Sequence, residues 1–206
     1  MILDKNNNVW SWGDNTFGQL GRYTHNTYDN TIRKIKKYSK FDASINEIFT
    51  SPYSDTIYAI MNNADGIEYN DTSLNNIYSW GDNTYNQLLY SDNVHFSELP
   101  YLIHWKLQKY HIKKVALGGN FVLALTNQGK ILSWGENDKN QLGWGENDKN
   151  QLGVLSNNDK NHLNYVTDLS NVIDIKCGVD FGTAIVHGDT NLSLIHISEP
   201  TRPLYI

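Results

Sequence analysis

Seven histidines and one cysteine are the residues from which metal or nucleophilic chemistry would first be expected in this chain. His104 and His111 lie seven residues apart with no second ligand pair near them, and His196 belongs to the C-terminal tail discussed below. The remaining histidines fall in or beside predicted loops: His25, His95, His162 and His187. A zinc site needs four convergent ligands, and a nucleophile needs an adjacent base. Cys177 precedes Gly178 in an apolar segment, which favours a buried structural thiol. The sequence therefore predicts no enzyme, no catalytic residue, no metal site and no cofactor.

The segment Asp4-x-Asn6-x-Asn8 has the spacing with which a calcium-binding loop begins. Such a loop requires Gly at its sixth position and a bidentate Glu at its twelfth, where this chain has Val9 and Asn15. A hairpin turn is the better interpretation of these polar residues.

One basic cluster stands out in a chain of net charge -5: Arg33, Lys34, Lys36, Lys37 and Lys40. These side chains could contact phosphates or form a nuclear address. The alternative, which we favour, is a solvated outer strand whose Ile32 and Ile35 face inward. The acidic balance of the whole chain makes binding to nucleic acid or chromatin an unfavoured hypothesis.

A repeated phrase indicates the secondary structure of this chain. It is present as Val-Trp-Ser-Trp-Gly-Asp-Asn at 9–15, Ile-Tyr-Ser-Trp-Gly-Asp-Asn at 77–83 and Ile-Leu-Ser-Trp-Gly-Glu-Asn at 131–137. Gln-Leu follows each copy at the same distance. Alternation predicts a strand with the Trp on one face and the Ser on the other. The strand ends at the Gly, and the acidic residue and Asn after it are typical of turns.

Gly18 of the first copy is replaced by Asn86 in the second and Asn140 in the third. Gly and Asn both tolerate a left-handed backbone. We therefore predict a positive φ at this position.

A second repeated phrase runs over 112–118 and 172–178, in each case followed by Phe and then by a small and a branched apolar residue. A weaker copy at 45–60 has Ser51-Pro52 where the other copies have Gly. These short runs predict several strands in each unit and no helix. Tyr101, Leu102 and Ile103 are expected to supply an outer strand.

On these phrases the chain resembles the regulator of chromosome condensation repeat family, whose units contain Trp-Gly-x-Asn-x-x-Gly-Gln-Leu-Gly. The resemblance covers residues 1 to about 191 and implies an all-β fold, an incomplete β-propeller arc of about three four-stranded blades from a propeller expected to have seven. The sequence departs from the pattern at Asn86, Leu89 and Ser51, so the second blade is expected to be looser. The structural repeat positions that the resemblance implies are Trp12, Gly13, Asn15, Gly18, Gln19, Trp80, Gly81, Asn83, Asn86, Gln87, Gly118, Trp134, Gly135, Asn137, Asn140, Gln141 and Gly178.

The expected organisation is a repeat domain over 1–191 and a separate tail over 192–206. Leu192 to Arg202 reads as the translation of a transposase adapter used in sequencing libraries, so we expect this tail to be non-biological. Residues 134–143 are duplicated without change as 144–153, and the extra copy is expected to form a surface loop. Met1 falls where the third unit has Leu123, in the middle of a strand, so the chain is expected to be a fragment.

The resemblance implies one of two functions. The first, which we favour, is a non-catalytic protein-interaction propeller, a scaffold or partner-binding module that can form part of a larger regulatory protein. The alternative is a guanine-nucleotide exchange factor for a Ran-like small GTPase. The expected partner is a protein, with a small GTPase as one candidate, and no membrane. A single Cys and the lack of a leader-like apolar start indicate an intracellular protein, cytoplasmic or nuclear.

Overall fold

A computed structural model of the chain describes residues 1–35, 45–61, 76–90, 94–103, 107, 110–136, 163–166, 169–187 and 192–197. Fourteen strands in four antiparallel sheets make up the secondary structure of these residues, apart from Leu107, which has a helical conformation. The prediction of an all-β fold is confirmed.

Each sheet is built from strands that follow one another in the sequence. The first has the order β1-β2-β3, formed by Ile2–Leu3, Val9–Asp14 and Tyr28–Lys34. The second has the order β4-β5-β6-β7, formed by Ile45–Ser51, Ser54–Met61, Asn76–Asp82 and Phe96–Leu102. The third has the order β11-β10-β9-β8, formed by Asn164–Val166, Ile131–Gly135, Phe121–Thr126 and Ile112–Leu117. The fourth has the order β12-β13-β14, formed by Val172–Cys177, Gly182–His187 and Leu192–Ile197.

The strand register aligns the repeats with one another. Ile2 pairs with Trp10 in the first sheet, as Ala124 pairs with Leu132 in the third. Met1 therefore stands at the position of Leu123, as predicted. The predicted outer strand at Tyr101 and Leu102 is also confirmed, because both residues belong to β7 and pair with β6.

The chain divides into two compact units, of which the first comprises Met1–Thr50, Asp55–Thr84 and Leu88–His111. Its core takes side chains from both of its sheets: Val9, Ile35, Ile45, Ile57, Ala59, Tyr78 and Trp80. All seven residues of β6 are buried. The expectation of a looser second blade is therefore wrong for its central strand.

The second unit comprises Ser51–Ser54, Tyr85–Gln87 and Ile112–Ile206. Its core also joins two sheets, through Phe121, Leu123, Leu125, Ile131, Val166, Leu169, Val172, Ile175 and Ala184. Lys114 on β8 and Asp174 on β12 form an ion pair with 2.5 Å between Nζ and Oδ1.

The prediction that Ile32 and Ile35 both face inward is wrong. Ile35 is 4% exposed, whereas Ile32 is 59% exposed. Side chains alternate along a strand, so residues three apart lie on opposite faces and only one of the two can enter the core. The outer position predicted for this strand is correct, because β3 ends the order β1-β2-β3 among the residues that the structure describes.

Strand β14 lies within the tail predicted for 192–206 and pairs with β13 along its whole length. Apolar residues at 192, 194, 195 and 197 explain why this segment takes an extended conformation. The origin of the tail in adapter DNA stays a prediction. The duplicated copy at 144–153 lies outside the described residues.

Candidate functional site

The loops that follow β2 and β6 are held by the same Asn. Asn15 Oδ1 accepts a hydrogen bond from the backbone N–H of Leu20 at 2.9 Å, and Asn83 Oδ1 accepts one from Leu88 at 2.8 Å. In each case the side chain spans five residues and replaces a backbone acceptor. The repeated Asn therefore closes the loop from within.

The repeated Gln has a matching internal role. Gln19 Oε1 accepts from the backbone N–H of Phe17 at 2.9 Å, and Gln87 Oε1 accepts from that of Tyr85 at 2.7 Å. Gln19 also donates through Nε2 to Asp55 Oδ1 at 3.0 Å. Burial of Asp55 raises the pKa of its carboxyl, and nearby Asp14 adds to the rise.

The repeated Trp links successive repeats. Trp80 Nε1 donates to the backbone carbonyl of Gln19 at 3.1 Å, and Trp134 Nε1 donates to that of Gln87 at 2.9 Å. Both indoles are at most 1% exposed. Trp12 of the first repeat is only partly buried. Indole N–H groups need an acceptor when buried, and here the preceding loop supplies it.

The Gly after the Trp is required by backbone conformation in all three copies and by space in the second and third. Its φ is +108° in Gly13, +98° in Gly81 and +108° in Gly135. A Cβ on Gly81 would lie 2.0 Å from the carbonyl oxygen of Asp55, and one on Gly135 would lie 2.5 Å from that of Asn120. No side chain fits at the last two positions without movement of the facing backbone.

The positive φ predicted within the loop is confirmed at Gly18, with +75°, and at Asn86, with +61°. Leu89 was not predicted to share this conformation, yet its φ is +56°, where the first repeat has Gly21 at +69°. A left-handed L-residue costs about 1–2 kcal/mol, while burying a Leu side chain contributes about 1.5–3 kcal/mol. Leu89 is 3% exposed, so burial offsets its strain.

Gly118 and Gly178 are small for a different reason. A Cβ on either would overlap the ring of the Phe three residues later, at 2.0 Å from Phe121 Cε1 and 2.4 Å from Phe181 Cε1. In the second sheet the residue facing the repeated Gly is Thr56 in place of Phe121. The weaker second copy of the phrase therefore has no ring to accommodate and no need of Gly at Ser51-Pro52. Asn137, Asn140 and Gln141 lie outside the described residues.

Sequence reasoning missed the role of Arg22, which follows the repeated phrase directly. Its guanidinium is buried, with Nη1 2.7 Å from Asp29 Oδ2 and Nη2 3.3 Å from the carbonyls of Ser11 and Thr31. The Arg22 guanidinium is the main cause that lowers the pKa of Asp29 to about 2. Arg22 thus fastens β3 to β2. A charged residue directly after Gln-Leu-Gly was the signal available in the sequence.

The second repeat has Tyr90 at the position of Arg22. Its hydroxyl donates to the carbonyl of Ser79 at 3.5 Å and lies 3.4 Å from Ser97 Oγ on the outer strand. Its ring meets that of Tyr101 edge to face, with the centroids 4.5 Å apart. Burial raises the pKa of the Tyr90 hydroxyl well above its usual range.

Asp4 occupies the turn of the β1–β2 hairpin, in agreement with the hairpin interpretation. Its Oδ1 accepts from the backbone N–H groups of Asn6 and Asn8, and its Oδ2 accepts from Trp10 Nε1 and Asn8 Nδ2. These donors, led by Trp10, hold the pKa of Asp4 far below its usual value. All four of these hydrogen bonds come from within the hairpin, which accounts for the spacing of the polar neighbours of Asp4 without a calcium ion.

Cys177 packs against the core of the second unit, and burial raises the pKa of its thiol to about 12. A thiol of this kind is protonated at neutral pH and is a poor nucleophile. Over the part of the chain that the structure describes, no group of three His, Cys, Asp or Glu side chains is arranged to hold a metal. Among the residues that the structure describes, no helix has the length and apolar character needed to cross a bilayer.

Two family models, both described as the regulator of chromosome condensation (RCC1) repeat, match this chain. One matches residues 1–19 and 112–141, and the other matches residues 75–125.

Two proteins that are similar to this chain have different named activities. Guanine nucleotide exchange factor SRM1 of Saccharomyces cerevisiae is 28% identical over 165 residues, covering 69% of this chain and 33% of SRM1. E3 ubiquitin-protein ligase HERC2 of Homo sapiens is 29% identical over 141 residues, covering 68% of this chain and 2% of HERC2. The chain thus spans a third or less of the length of these relatives.

Solved structures establish the fold. The structure of Kap60 bound to yeast RCC1 (Prp20) matches with a TM-score of 0.67 at 24% identity, over 93% of this chain and 40% of that chain. Prp20p from Saccharomyces cerevisiae, described with its binding properties to Gsp1p and histones, matches with a TM-score of 0.66 at 24% identity, over 93% of this chain and 41% of that one. Human WBSCR16 matches with a TM-score of 0.63 at 19% identity, over 93% and 43%. The predicted fold class, an incomplete β-propeller, is confirmed.

Proposed function

This chain contains repeats of the regulator of chromosome condensation family, and from that premise we propose that it serves as a non-catalytic protein-interaction propeller. The observation that supports this proposal is the internal use of the repeat residues. Asn15, Asn83, Gln19 and Gln87 are engaged within their own loops, and Trp80 is engaged by the neighbouring repeat. These residues form a frame, so partner recognition falls to the residues that vary between repeats.

Exposed apolar side chains at variable positions support a binding role. Exposed apolar surface on a folded protein is typical of protein contacts. Tyr23, Tyr28 and Phe96 of the first unit and Tyr53 of the second are 47% to 68% exposed. None of them belongs to the repeated Trp-Gly phrase, so they are free to differ between members of the family.

Guanine-nucleotide exchange on a Ran-like small GTPase is the second candidate. It is supported by the similarity to SRM1, which is named as an exchange factor, and to Prp20p, which is described with its binding to Gsp1p. The similarity to HERC2 supports the first candidate, because there the similar region is a small part of a ubiquitin ligase. We further propose an intracellular location, cytoplasmic or nuclear, on the basis of the family and the single cysteine.

One assay separates the candidates. A Ran-like GTPase is loaded with a fluorescent GDP analogue, and its release is followed with and without a molar excess of the 206-residue chain. Exchange activity lowers the barrier to release, so acceleration of about tenfold or more, equivalent to about 1.4 kcal/mol, would establish the second candidate and contradict the first. A release rate equal to the spontaneous one is expected.

Partner binding is tested by affinity capture with the chain and with a Tyr23→Ser/Tyr28→Ser variant. Both residues are exposed, so the variant retains the core. Stoichiometric capture of a defined protein by the chain, reduced in the variant, is the expected result. Capture no greater than that of an unrelated control protein would overturn the proposal.

A further inference from the structure

Strand β3 is an edge of the first sheet in the part of the chain that the structure describes. It pairs with β2 on one side, and six of its seven residues are exposed. An edge of this length offers unpaired backbone N–H and C=O groups to another strand. In β7, the outer strand of the second sheet, Pro100 removes one backbone donor and only two of seven residues are exposed.

The direction of the free backbone groups follows from the ladder. Ile35 donates its backbone N–H to the carbonyl of Val9 at 2.9 Å, and Arg33 stands opposite Ser11. The N–H and C=O of one residue in an antiparallel strand point to the same side, and this side alternates along the chain. Lys34 therefore turns its backbone groups away from β2, toward solvent, whereas a register shift between Ser11 and Gly13 interrupts the alternation opposite Ile32.

The side chains of this edge are apolar and basic. Ile32 is 59% exposed, and the Arg33 side chain is 63% exposed. Lys34 is exposed as well. Asp29 lies 4.0 Å from Arg33 Nε, but it is engaged more closely by Arg22 at 2.7 Å. The edge therefore presents positive charge on a chain whose net charge is -5.

We propose that β3 binds an extended acidic peptide segment of a partner protein by strand addition. This proposal rests on the proposed interaction function and names the surface and the chemical class of the partner. The backbone N–H and C=O of Lys34 supply ladder bonds, the exposed Ile32 side chain supplies an apolar contact, and Arg33 and Lys34 select carboxylates. The same charges disfavour pairing with a second copy of β3, because like charges would face one another.

The test is fluorescence anisotropy with a labelled nine-residue peptide of alternating Val and Glu, and with a matched peptide of alternating Val and Lys. The chain is expected to bind the acidic peptide and not the basic one. The variant R33E/K34E should weaken binding by about tenfold or more, because it reverses the charge of the edge. The variant K113E/K130E makes the same charge reversal at two exposed residues of the second unit. It leaves Arg33 and Lys34 in place, so it should change binding by less than about twofold.

Lys34→Pro tests the backbone contact separately from the charge. It removes one outward N–H, which is worth about fivefold in affinity for a typical hydrogen bond. Far-ultraviolet circular dichroism verifies that the sheet persists, and Lys34→Ala provides a second variant that lacks the charge and keeps the N–H. Strand addition predicts weaker binding for Lys34→Pro than for Lys34→Ala.

Four outcomes would overturn the inference. Equal affinities of Lys34→Pro and Lys34→Ala would show that no ladder bond forms. Binding of a duplex oligonucleotide that competes with the acidic peptide and shares its dependence on Arg33 and Lys34 would show a phosphate surface instead. Concentration-dependent dimerisation lost in Lys34→Pro would show a second copy as the occupant. If the chain captures a partner but does not bind the acidic peptide, this inference alone is overturned. If it neither captures a partner nor binds the peptide, the proposed function is overturned as well.

Discussion

The first and second sheets fasten their outer strands from the same position of the repeat but with different chemistry. Arg22 reaches β3 through a buried guanidinium that meets Asp29 and two backbone carbonyls. Tyr90 reaches β7 through its ring contact with Tyr101 and a long hydrogen bond to Ser97, and it makes a second long hydrogen bond to the Ser79 carbonyl on β6. The loops before these residues share their Asn and Gln contacts. The repeat therefore determines where the outer strand is held. The residue that follows it, Arg22 or Tyr90, determines how strongly the outer strand is held and whether the contact carries a charge.

Trp80 and Trp12 should differ most. Trp80→Ala removes a fully buried indole and its hydrogen bond to Gln19, so we expect the free energy of unfolding to fall by about 3–5 kcal/mol. Trp12 is only partly buried, so Trp12→Ala should cost less than half of that. Urea denaturation followed by circular dichroism measures both. Equal losses would show that the two repeats depend on this side chain alike.

Arg22→Met should have the next largest effect. Methionine keeps much of the buried stem but loses the hydrogen bonds to Ser11 and Thr31, each worth about 1 kcal/mol. We therefore expect a loss of about 2 kcal/mol in the same denaturation assay. Arg22→Lys serves as the control, since it retains the charge but not the planar group. Full stability in Arg22→Met would contradict the anchoring role assigned to the guanidinium.

Asp29→Asn should alter the response to acid more than the stability at neutral pH. Asp29 has a pKa lowered from 3.8 to about 2 in the folded chain, with Arg22 as the main cause. A depressed folded-state pKa contributes stability above pH 4 that is lost as the pH falls toward 2. Unfolding midpoints measured between pH 5 and 2 should decline less steeply in Asp29→Asn. An identical decline in both proteins would exclude this carboxylate as an acid-sensitive contact.

Tyr90→Phe should have the smallest effect. It keeps the ring contact with Tyr101 and loses only hydrogen bonds of 3.4–3.5 Å. Since such bonds are long, we expect a loss of about 0.5 kcal/mol, near the lower end of the usual contribution. Tyr90→Ala removes the ring as a matched comparison and should cost several times more. A loss in Tyr90→Phe equal to that in Arg22→Met would show that the two fastenings are equivalent.

Local conformation was accessible from the sequence, and contacts between repeats were not. Positive φ at Gly18 and Asn86 followed from residue types that tolerate it, and the hairpin at Asp4 followed from turn chemistry. Leu89 shows the limit of such prediction. Leucine disfavours a left-handed backbone, and here burial of the side chain offsets that cost.

The bond from Trp80 to Gln19 joins residues 61 positions apart, and no local pattern specifies its acceptor. Arg22 was missed for the same reason, since all four of its acceptors come from the two strands that it joins. The inward orientation expected of Ile32 was wrong because the apolar character of the residue was weighed above the two-residue period of the strand.

The bond between each buried Trp and the loop before it ends on a main-chain carbonyl, and every amino acid possesses that acceptor. The two sides of the junction therefore need not evolve together. A repeat that keeps its own indole can follow a preceding repeat of almost any sequence. Repeats can therefore be duplicated, lost or exchanged within the gene without a compensating change in the neighbouring repeat. Sequences built in this way can drift to about a quarter identity, as in the solved relatives at 24%, and keep the same fold.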